Sequence, residues 1–586
     1  MIHKLWRLMM LLILACGTAG CALFRPPWIS IESESKLPGN TITALRNLAS
    51  VQDVLDENRE IDELARLTLI ADEQNMVAYL RANGYFDAKV TNRITERKRR
   101  PHVVFEVNPG PAYQINEVEL IWPKDHPDVV PIPTSRVGRA SSSAITSPRS
   151  GVTRRLREIG FPNARSTNQL IVVDHAGRVV NSRFYMDPGP LARFGELHVD
   201  GLNRLRYSYV EKARTWKRNE IYDVRKLELM EQRLAASGLF SSIQIQRHET
   251  EVKSDEIYDV SITLRERKAR AIQLGVGYRT DTGAETSAQW IHRNAFGGGE
   301  NFLIRARYTE EGYEGELRLT VPFFRRSDQQ WGASITYQNE KPDAYESRSL
   351  KSETWISREL DRHWLVRVGI GLQYLDETQN EISDNYFLVS LPTRLVWDRA
   401  NDRLDATRGG RAIWMTEPFQ GIDDTELFFW KNLVTVNGFL PLNQNQSLSL
   451  AVRLTGGAIQ GTSLRSIPAE ERFYAGGGQS VRGYAYQSLS PRDGDNIVGG
   501  LSLAESSLEL RARIGSSLGA VVFIDGGGAF DETVPDFKDT YRWGTGAGIR
   551  YFTPVGPLRF DAGAPLNRRD GIDKSWQFYV SIGQAF

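Results

Sequence analysis

The sequence predicts α+β repeats in the first part of the chain, followed by an all-β, 16-stranded transmembrane β-barrel. Apolar and polar residues alternate through most of the second half, as in strands with one face in lipid and the other in water. In the first part, two short motifs recur at a constant spacing and mark three units. The alternating part has room for about sixteen strands at ~20 residues for each strand and its connection.

The alternating pattern is clearest between Trp364 and Tyr374. One set of alternate positions is apolar: Trp364, Val366, Val368, Ile370, Leu372 and Tyr374. The other set includes Arg367, Gly369, Gly371 and Gln373. Successive side chains of a strand point to opposite faces, so one face is apolar with aromatic ends and the other is polar. The alternative is a large soluble β-sandwich. In that fold, the arginines on the second face of many strands would need solvent on that face.

The composition of the 586-residue chain is compatible with a barrel. Its net charge is +1, which implies no bulk attraction to nucleic acid or to an acidic membrane surface. The mean hydropathy is −0.39. After the N-terminus no apolar run approaches the ~18 residues that a membrane helix needs, whereas a barrel strand needs only ~9–11 residues.

Residues 1–21 resemble an export signal, because Lys4 and Arg7 precede a short apolar segment from Leu8 to Ala15. Both cysteines, Cys16 and Cys21, lie in this region. Each follows a segment that resembles the box before a lipidated cysteine in bacterial lipoproteins. In the alternative interpretation, cysteine acts only as a small apolar residue of an ordinary signal. Either way, no disulfide framework is predicted for the mature chain.

The first repeated motif is a glycine that follows an amphipathic helix. Gly84, Gly160 and Gly238 each come four residues after a leucine and just before an aromatic or leucine residue. The three glycines are separated by 76 and 78 residues. A glycine just after a helix is typical of a left-handed C-terminal cap. The motif therefore predicts the end of a helix in each unit.

The second repeated motif is proline-glycine punctuation between strands, at Asn108–Pro111 and Asp187–Pro190. Together the motifs predict units of strand, helix, helix, strand, strand over residues 28–108, 112–188 and 192–267, with the barrel over 268–586. Three unrelated α+β domains with common turn chemistry are the alternative. The order resembles POTRA domains, periplasmic modules that bind extended chains by adding a strand to a sheet edge. Residues 124–150, rich in Pro, Ser and Arg, leave the first helix of the second unit unplaced.

One segment of the barrel region is not strand-like. It runs from Phe473 through three glycines to Val481, Arg482, Gly483 and Tyr484. With the later Phe523-Ile524-Asp525-Gly526, it resembles the BamA/TamA/FhaC superfamily, in which a loop arginine contacts acidic and aromatic residues of the inner barrel wall. Alternation independently assigns Asp525 and Glu509 to the inner face. The expected contact set is Val481, Arg482, Gly483, Tyr484, Phe523, Asp525, Gly526 and Glu509.

Three repeats favour the TamA branch of this superfamily. That resemblance implies an outer-membrane barrel with periplasmic repeats, which assembles or translocates β-barrel and autotransporter clients in contact with outer-membrane lipid. It also implies a TamB-like partner anchored in the inner membrane. A dedicated secretion pore and a bridge for lipid traffic are the alternatives. The sequence contains no catalytic constellation, metal-spaced cluster or phosphate loop, so we expect neither an enzyme nor a cofactor.

The resemblance also implies a seam between the first and last barrel strands. We expect Leu274 and Val276 on one side of it, and Gly583 and Phe586 on the other. A glycine within a strand removes side-chain packing, so Gly583 is expected to weaken the last strand. Alternatively, Gly583 marks a close approach of the strand to the loop.

Overall fold

The computed structural model describes residues 28–58, 61–96, 101–123, 138–249, 256–279, 283–423, 426–515, 517–537, 541–553 and 556–582. The chain forms two compact units. The first holds the residues up to Glu196 together with Trp216–Glu228 and Arg247–Val260, and the second holds the rest. The predicted signal with Cys16 and Cys21, and the predicted seam residues Gly583 and Phe586, lie outside the described residues.

The first repeat is a three-stranded sheet covered by helices. Its elements are β1 (Ile29–Ser33), α1 (Gly39–Asn47), α2 (Val51–Asn58), α3 (Glu63–Ala82), β2 (Lys89–Glu96) and β3 (Pro101–Asn108). The central strand β3 pairs in parallel with β1 and antiparallel with β2. The Asp62 side chain caps the start of α3 by accepting a hydrogen bond from Ala65 N at 2.8 Å. Two helices were predicted here, and the structure has three.

The second and third repeats have the same sheet order as the first. The second consists of β4 (Gln114–Ile121), α4 (Ser142–Glu158), β5 (Arg165–Asp174) and β6 (Val179–Asp187). The third consists of β7 (Ala192–Asp200), α5 (Tyr207–Ala213), α6 (Val224–Ala236), β8 (Phe240–Glu249) and β9 (Glu256–Glu266). The three predicted helix-ending glycines have positive φ angles: 87° at Gly84, 114° at Gly160 and 66° at Gly238. This is the backbone conformation that a glycine cap supplies.

The remaining strands form a closed antiparallel barrel. Its strands are β10 (Arg270–Arg279), β11 (Gly283–His292), β12 (Asn301–Thr309), β13 (Gly312–Val321), β14 (Gln329–Glu340), β15 (Glu346–Glu359), β16 (Trp364–Gln379), β17 (Ile382–Ser390), β18 (Thr393–Asp398), β19 (Gly409–Gly421), β20 (Phe428–Pro441), β21 (Leu448–Gln460), β24 (Ser502–Ile514), β25 (Leu518–Phe530), β26 (Arg542–Thr553), β27 (Gly556–Pro565) and β28 (Gln577–Ile582). A two-stranded hairpin, β22 (Arg492–Asp493) with β23 (Asn496–Ile497), lies outside this sheet.

The barrel has sixteen strands because β17 and β18 are halves of one strand. Both pair with β16 on one side and with β19 on the other. The interruption falls at Leu391 and Pro392, where proline has no backbone N–H to give to the ladder. The predicted 16-stranded barrel preceded by α+β repeats is therefore confirmed.

The alternation along the strands divides the barrel into an apolar outer face and a polar inner face. On β16, Ile370 is 53% exposed on the outer face, whereas Gln373 is 3% exposed on the inner face. Consecutive strands are antiparallel, so the turns after β11, β13, β15 and β18 lie at the end of the barrel where β10 begins. Within the described part of the chain, no helix has the length and apolar character needed to cross a membrane.

Candidate functional site: a loop anchored in the barrel lumen

The segment between β21 and β24, residues 461–501, is here called the lumen loop. Its apolar residues pack against inner-wall residues in one buried cluster. Val481 and Tyr484 from the loop share this cluster with Phe419, Phe429 and Ile459 from the wall. The loop and the inner wall thus form a shared hydrophobic core inside the barrel.

Arg482 reaches Asp525 on β25 with a bidentate pair of hydrogen bonds. Its Nε lies 2.6 Å from Oδ2 and its Nη2 lies 2.9 Å from Oδ1. The backbone N–H of Arg482 also donates to Oδ2 at 3.1 Å. The Ser507 hydroxyl donates to Oδ1 at 2.6 Å. Both charged side chains are almost fully buried, and the fork geometry suits the two oxygens of one carboxylate.

Two further carboxylates surround the Arg482 guanidinium. Its Nη1 lies 2.7 Å from Oε1 of Glu509 and donates to Oδ2 of Asp561 at 3.1 Å. The contact with Glu509 is an ion pair by distance, although its geometry leaves Oε1 without a hydrogen-bond donor among the described residues. We call Arg482, Asp525, Glu509 and Asp561 the anchor cluster. Because a buried charge without partners is costly, these carboxylates are what allows an arginine to enter the lumen.

Three arginines of the wall balance the acidic side of the anchor cluster. Arg511 pairs with Glu509 at 2.8 Å, and Arg559 lies 3.3 Å from Asp561. Arg550 makes a short ion pair with Asp561. With Arg482, four arginines face three carboxylates, so the cluster is close to neutral overall.

The rest of the Val-Arg-Gly-Tyr motif fits closely against the wall. The guanidinium carbon of Arg482 lies 3.5 Å from the centre of the Phe523 ring, a cation–π contact. Gly483 has φ of 101°, and a Cβ there would lie 2.7 Å from the carbonyl carbon of Ala564. Glycine is required at this position by both the backbone conformation and the close approach. The Tyr484 hydroxyl donates to the Trp543 carbonyl at 3.0 Å.

Gly526 is a correction to the predicted contact set. It follows Asp525 on the strand and faces the outer side, where an added Cβ would lie 2.8 Å from the Trp543 ring. The next residue, Gly527, lies beneath the loop, since a Cβ there would lie 2.8 Å from the Val481 side chain. The alternation of the strand explains the difference, because the inner face carries Asp525 and Gly527.

Tyr579 connects the lumen loop to the last strand, β28. Its hydroxyl accepts a hydrogen bond from Gly483 N at 3.1 Å and donates one to the Tyr484 carbonyl at 3.3 Å. The ring also lies against Gly478, where an added Cβ would be 2.7 Å from it. One side chain of the last strand therefore holds the backbone at the centre of the motif.

A second anchor holds the beginning of the loop on a different part of the wall. Glu377 on β16 accepts hydrogen bonds from Ala469 N at 2.7 Å and from Glu470 N at 3.2 Å. Arg472 donates to the Gln379 side chain at 2.7 Å. Lys431 on β20 pairs with Glu471 at 3.0 Å. The loop is thus fixed at β16 and β20 and again at β24 to β28.

The two strands at the predicted seam, β10 and β28, share few register pairs among the described residues. Within the described residues, β10 and β28 share two register pairs, Tyr278 with Val580 and Arg279 with Tyr579. On its other side β10 shares ten register pairs with β11. The predicted seam residues Leu274 and Val276 lie on the outer face, 78% and 76% exposed.

Sequence reasoning missed Asp561, Tyr579 and the second anchor. Asp561 was within reach of the alternation argument, because its neighbour Phe560 faces outward and the acid must then face inward. Tyr579 likewise alternates with the outward Phe578. The second anchor has no such signal, because its partners lie on a loop whose path the sequence does not specify.

Comparisons with known proteins agree with this architecture. A family model for the Omp85 superfamily domain matches residues 294–586, and a model for POTRA, surface antigen variable number repeat, matches residues 29–110. The outer membrane protein assembly factor BamA of Neisseria meningitidis serogroup B is 21% identical over 588 residues, covering 88% of this chain and 72% of the relative. BamA of Nitratidesulfovibrio vulgaris is 27% identical over 411 residues, covering 66% of this chain and 50% of the relative.

Among solved structures, BamA from Haemophilus ducreyi lacking POTRA domains 1–3 has a similar fold. The TM-score is 0.64 at 17% identity, and the match covers 80% of this chain and 100% of that chain. The Omp85 match spans half of the sequence, from the first barrel turns to the last residue. The chain therefore belongs to the Omp85 superfamily, with its barrel in the outer membrane and its N-terminal repeats in the periplasm.

Proposed function

We propose that this protein inserts or translocates outer-membrane proteins by opening its barrel between β10 and β28. The observation that carries the proposal is the short pairing of these strands over the described residues, two register pairs against ten between β10 and β11. Each backbone hydrogen bond contributes about 0.5–1.5 kcal/mol net. Over the described residues, fewer backbone hydrogen bonds would break between β10 and β28 than between β10 and β11, which supports opening at this boundary.

An opened seam would offer a client two unpaired strand edges. Unpaired backbone N–H and C=O groups bind other extended chains, and in lipid they have no alternative partner. The outward Leu274 and Val276 would then continue the apolar surface of the client strand beside β10. The proposed activity needs no nucleotide, because the pairing and folding of the client supply the free energy.

The lumen loop supports opening on one side of the seam. Tyr579 ties β28 to Gly483 and Tyr484, so β28 is held from inside the barrel as well as by β27. We therefore propose that β10 moves and β28 stays with the loop. The close packing of the loop in the lumen favours this route over conduction of a client through the barrel centre.

We further propose a TamA-type role, with autotransporter clients and a TamB-like partner anchored in the inner membrane. The three consecutive repeats support this finer assignment. A dedicated secretion pore and a bridge for lipid traffic remain as alternative functions of the same architecture. They differ from the proposal in whether the seam must open for activity.

A reversible disulfide across the seam tests the proposed function. The double variant Tyr278→Cys/Val580→Cys joins register partners of β10 and β28. The protein, reconstituted in liposomes, receives an unfolded outer-membrane β-barrel client, and client folding is followed by its heat-modifiable gel mobility. We expect folding to stop when the disulfide is formed and to recover after reduction.

The matched control is Leu450→Cys/Leu510→Cys, a register pair within the wall between β21 and β24. Oxidation of this pair should leave client folding unchanged. Full activity with the β10–β28 disulfide formed would exclude the seam mechanism. Secretion that persists with the seam locked would support the pore instead.

A further inference from the structure

A second polar region of the lumen lies away from the anchor cluster, on the inner wall of β13 to β19. It is a cavity of about 470 Å³ near the turns after β15 and β18. These turns lie on the periplasmic side, where β10 begins. Six arginines line the cavity: Arg318, Arg362, Arg367, Arg394, Arg403 and Arg411.

Arg367 on β16 and Arg394 on β18 are direct cross-strand partners. Like charges directly opposite each other destabilise a sheet. Arg367 has compensation, because it donates to Glu353 at 2.7 Å and stacks on Trp355 at 3.7 Å. Arg394 has none among the residues that the structure describes, and its buried Nε has no hydrogen-bond partner there.

Two other arginines of the cavity, Arg318 and Arg411, also have a buried Nε without a hydrogen-bond acceptor in the described part of the chain. Arg411 lies 3.8 Å from Asp398, and Arg318 pairs closely with Glu316. A buried donor without a partner destabilises the folded protein. The described residues around the cavity thus leave part of the hydrogen-bonding capacity of three of its guanidinium groups unfilled.

The carboxylates around the cavity do not pair with all of its arginines. Glu359, Asp361 and Asp398 line it. Glu353 and Glu316 pair with its arginines from the side. Six arginines thus face five carboxylates, and none of the carboxylates pairs with Arg394 in the described structure.

We propose that this cavity binds a phosphate group between Arg367 and Arg394, with Arg411 as a third donor. Phosphate suits the site better than a carboxylate, because several guanidinium forks need more than two acceptor oxygens. The group can come from free phosphate or from a phospholipid headgroup that enters at the periplasmic mouth. This site is independent of the seam and of the proposed function.

The test uses ³¹P NMR titration of the full-length protein in a maltoside detergent, which contains no phosphorus. The two probes are inorganic phosphate and dihexanoyl phosphatidylglycerol. We expect the wild-type protein to broaden and shift the signal saturably, and Arg394→Gln to weaken the binding at least tenfold. Arg411→Gln should also weaken it, and serves if the first variant does not fold. The matched control is Arg307→Gln, a lumen arginine paired with Glu314 at 3.7 Å, which should bind as wild type.

The outcomes separate the two sources of the phosphate group. Binding of both probes assigns the site to the phosphate group itself, and binding of the phospholipid alone assigns it to a lipid headgroup. Absence of saturable binding of either probe would overturn the proposal. So would equal binding by wild type, Arg394→Gln and Arg411→Gln. Binding of a glutamate-rich peptide without binding of either phosphate probe would also overturn it, and would assign the cavity to acidic protein segments.

Discussion

At the scale of single residues, the anchor cluster depends on the shape of arginine. Arg482 uses Nε and Nη2 for Asp525 and Nη1 for Glu509 and Asp561, so its fork serves three carboxylates at once. A lysine has one ammonium group and cannot meet all three in these directions. The arginine also covers the Phe523 ring at 3.5 Å, which a planar group does best.

We therefore expect Arg482→Lys to destabilise the barrel even though the charge is kept. Breaking a buried ion pair costs about 3–5 kcal/mol, and the retained charge recovers only part of it. The measurement is the temperature at which the heat-modifiable band is lost on a gel. The control Arg307→Lys alters a partly exposed pair, for which about 0–1 kcal/mol is expected. Equal midpoints for the two variants would show that the fork geometry is unimportant.

Tyr579 makes a second prediction at this scale. Tyr579→Phe keeps the ring against Gly478 and removes the hydrogen bonds to Gly483 and Tyr484. We expect the variant to lower the stability of the folded barrel by about 1–3 kcal/mol, because each of the two lost hydrogen bonds contributes about 0.5–1.5 kcal/mol. Hydrogen exchange of the Gly483 amide should become faster than in wild type. In the control Tyr551→Phe, on the outer face of β26, this exchange should not change. An unchanged rate in Tyr579→Phe would mean that the loop holds itself without the last strand.

At the scale of elements, the repeated glycine has two uses. The carbonyl of Gly84 accepts a hydrogen bond from Tyr113 N at 2.9 Å, and the carbonyl of Gly160 accepts one from Ala192 N at 2.8 Å. Each bond joins the end of a helix to the start of the next repeat. The spacing of the glycines predicted the helix ends from the sequence. It could not predict the bonds between repeats, because these depend on how one unit packs against the next.

The joint between the first two repeats also contains a titratable group, Asp87. Its carboxylate accepts a hydrogen bond from the Tyr113 hydroxyl at 2.7 Å and lies 2.9 Å from Nδ1 of His175. The hydrogen bond from Tyr113, followed by the contact with His175, holds the pKa of Asp87 below its usual range. An acid with a lowered folded pKa adds stability above its unfolded pKa, about 3.9, and loses it as the pH falls through the folded value.

We therefore expect Asp87→Asn to lower the urea midpoint of the repeats at pH 7, and the difference from wild type to be smaller at pH 3. The measurement is unfolding of the full chain in detergent, followed by intrinsic fluorescence at both pH values. Asp53→Asn, at an exposed position of α2, is the control and should follow wild type throughout. A difference for Asp87→Asn that persists undiminished at pH 3 would rule out the charge of Asp87 as its cause.

At the scale of the whole barrel, the alternation of apolar and polar residues predicted the strands and their faces, but not the features that depend on three-dimensional packing. Alternation alone assigned Asp525 and Glu509 to the inner face, and both side chains reach Arg482. The strand number also followed from length and alternation. The interruption at Pro392 and the anchor at Glu377 did not follow, because one is a local break in a ladder and the other depends on the three-dimensional path of the loop.

The two anchors make the lumen loop a bridge across the barrel, which leads to the last prediction. Glu377→Ala removes the acceptor for Ala469 N and Glu470 N, and Arg482→Ala removes the other anchor. A loop weakened at one anchor stays held in the lumen by the other. We expect each single variant to raise single-channel conductance in planar bilayers slightly, and the double variant to raise it by more than the two increments together. Simple additivity would show that the anchors act independently, since coupled sites are recognised by the failure of additivity. The wall arginine Arg307→Ala controls for a change of lumen charge, because Arg307 has no part in either anchor and pairs with Glu314.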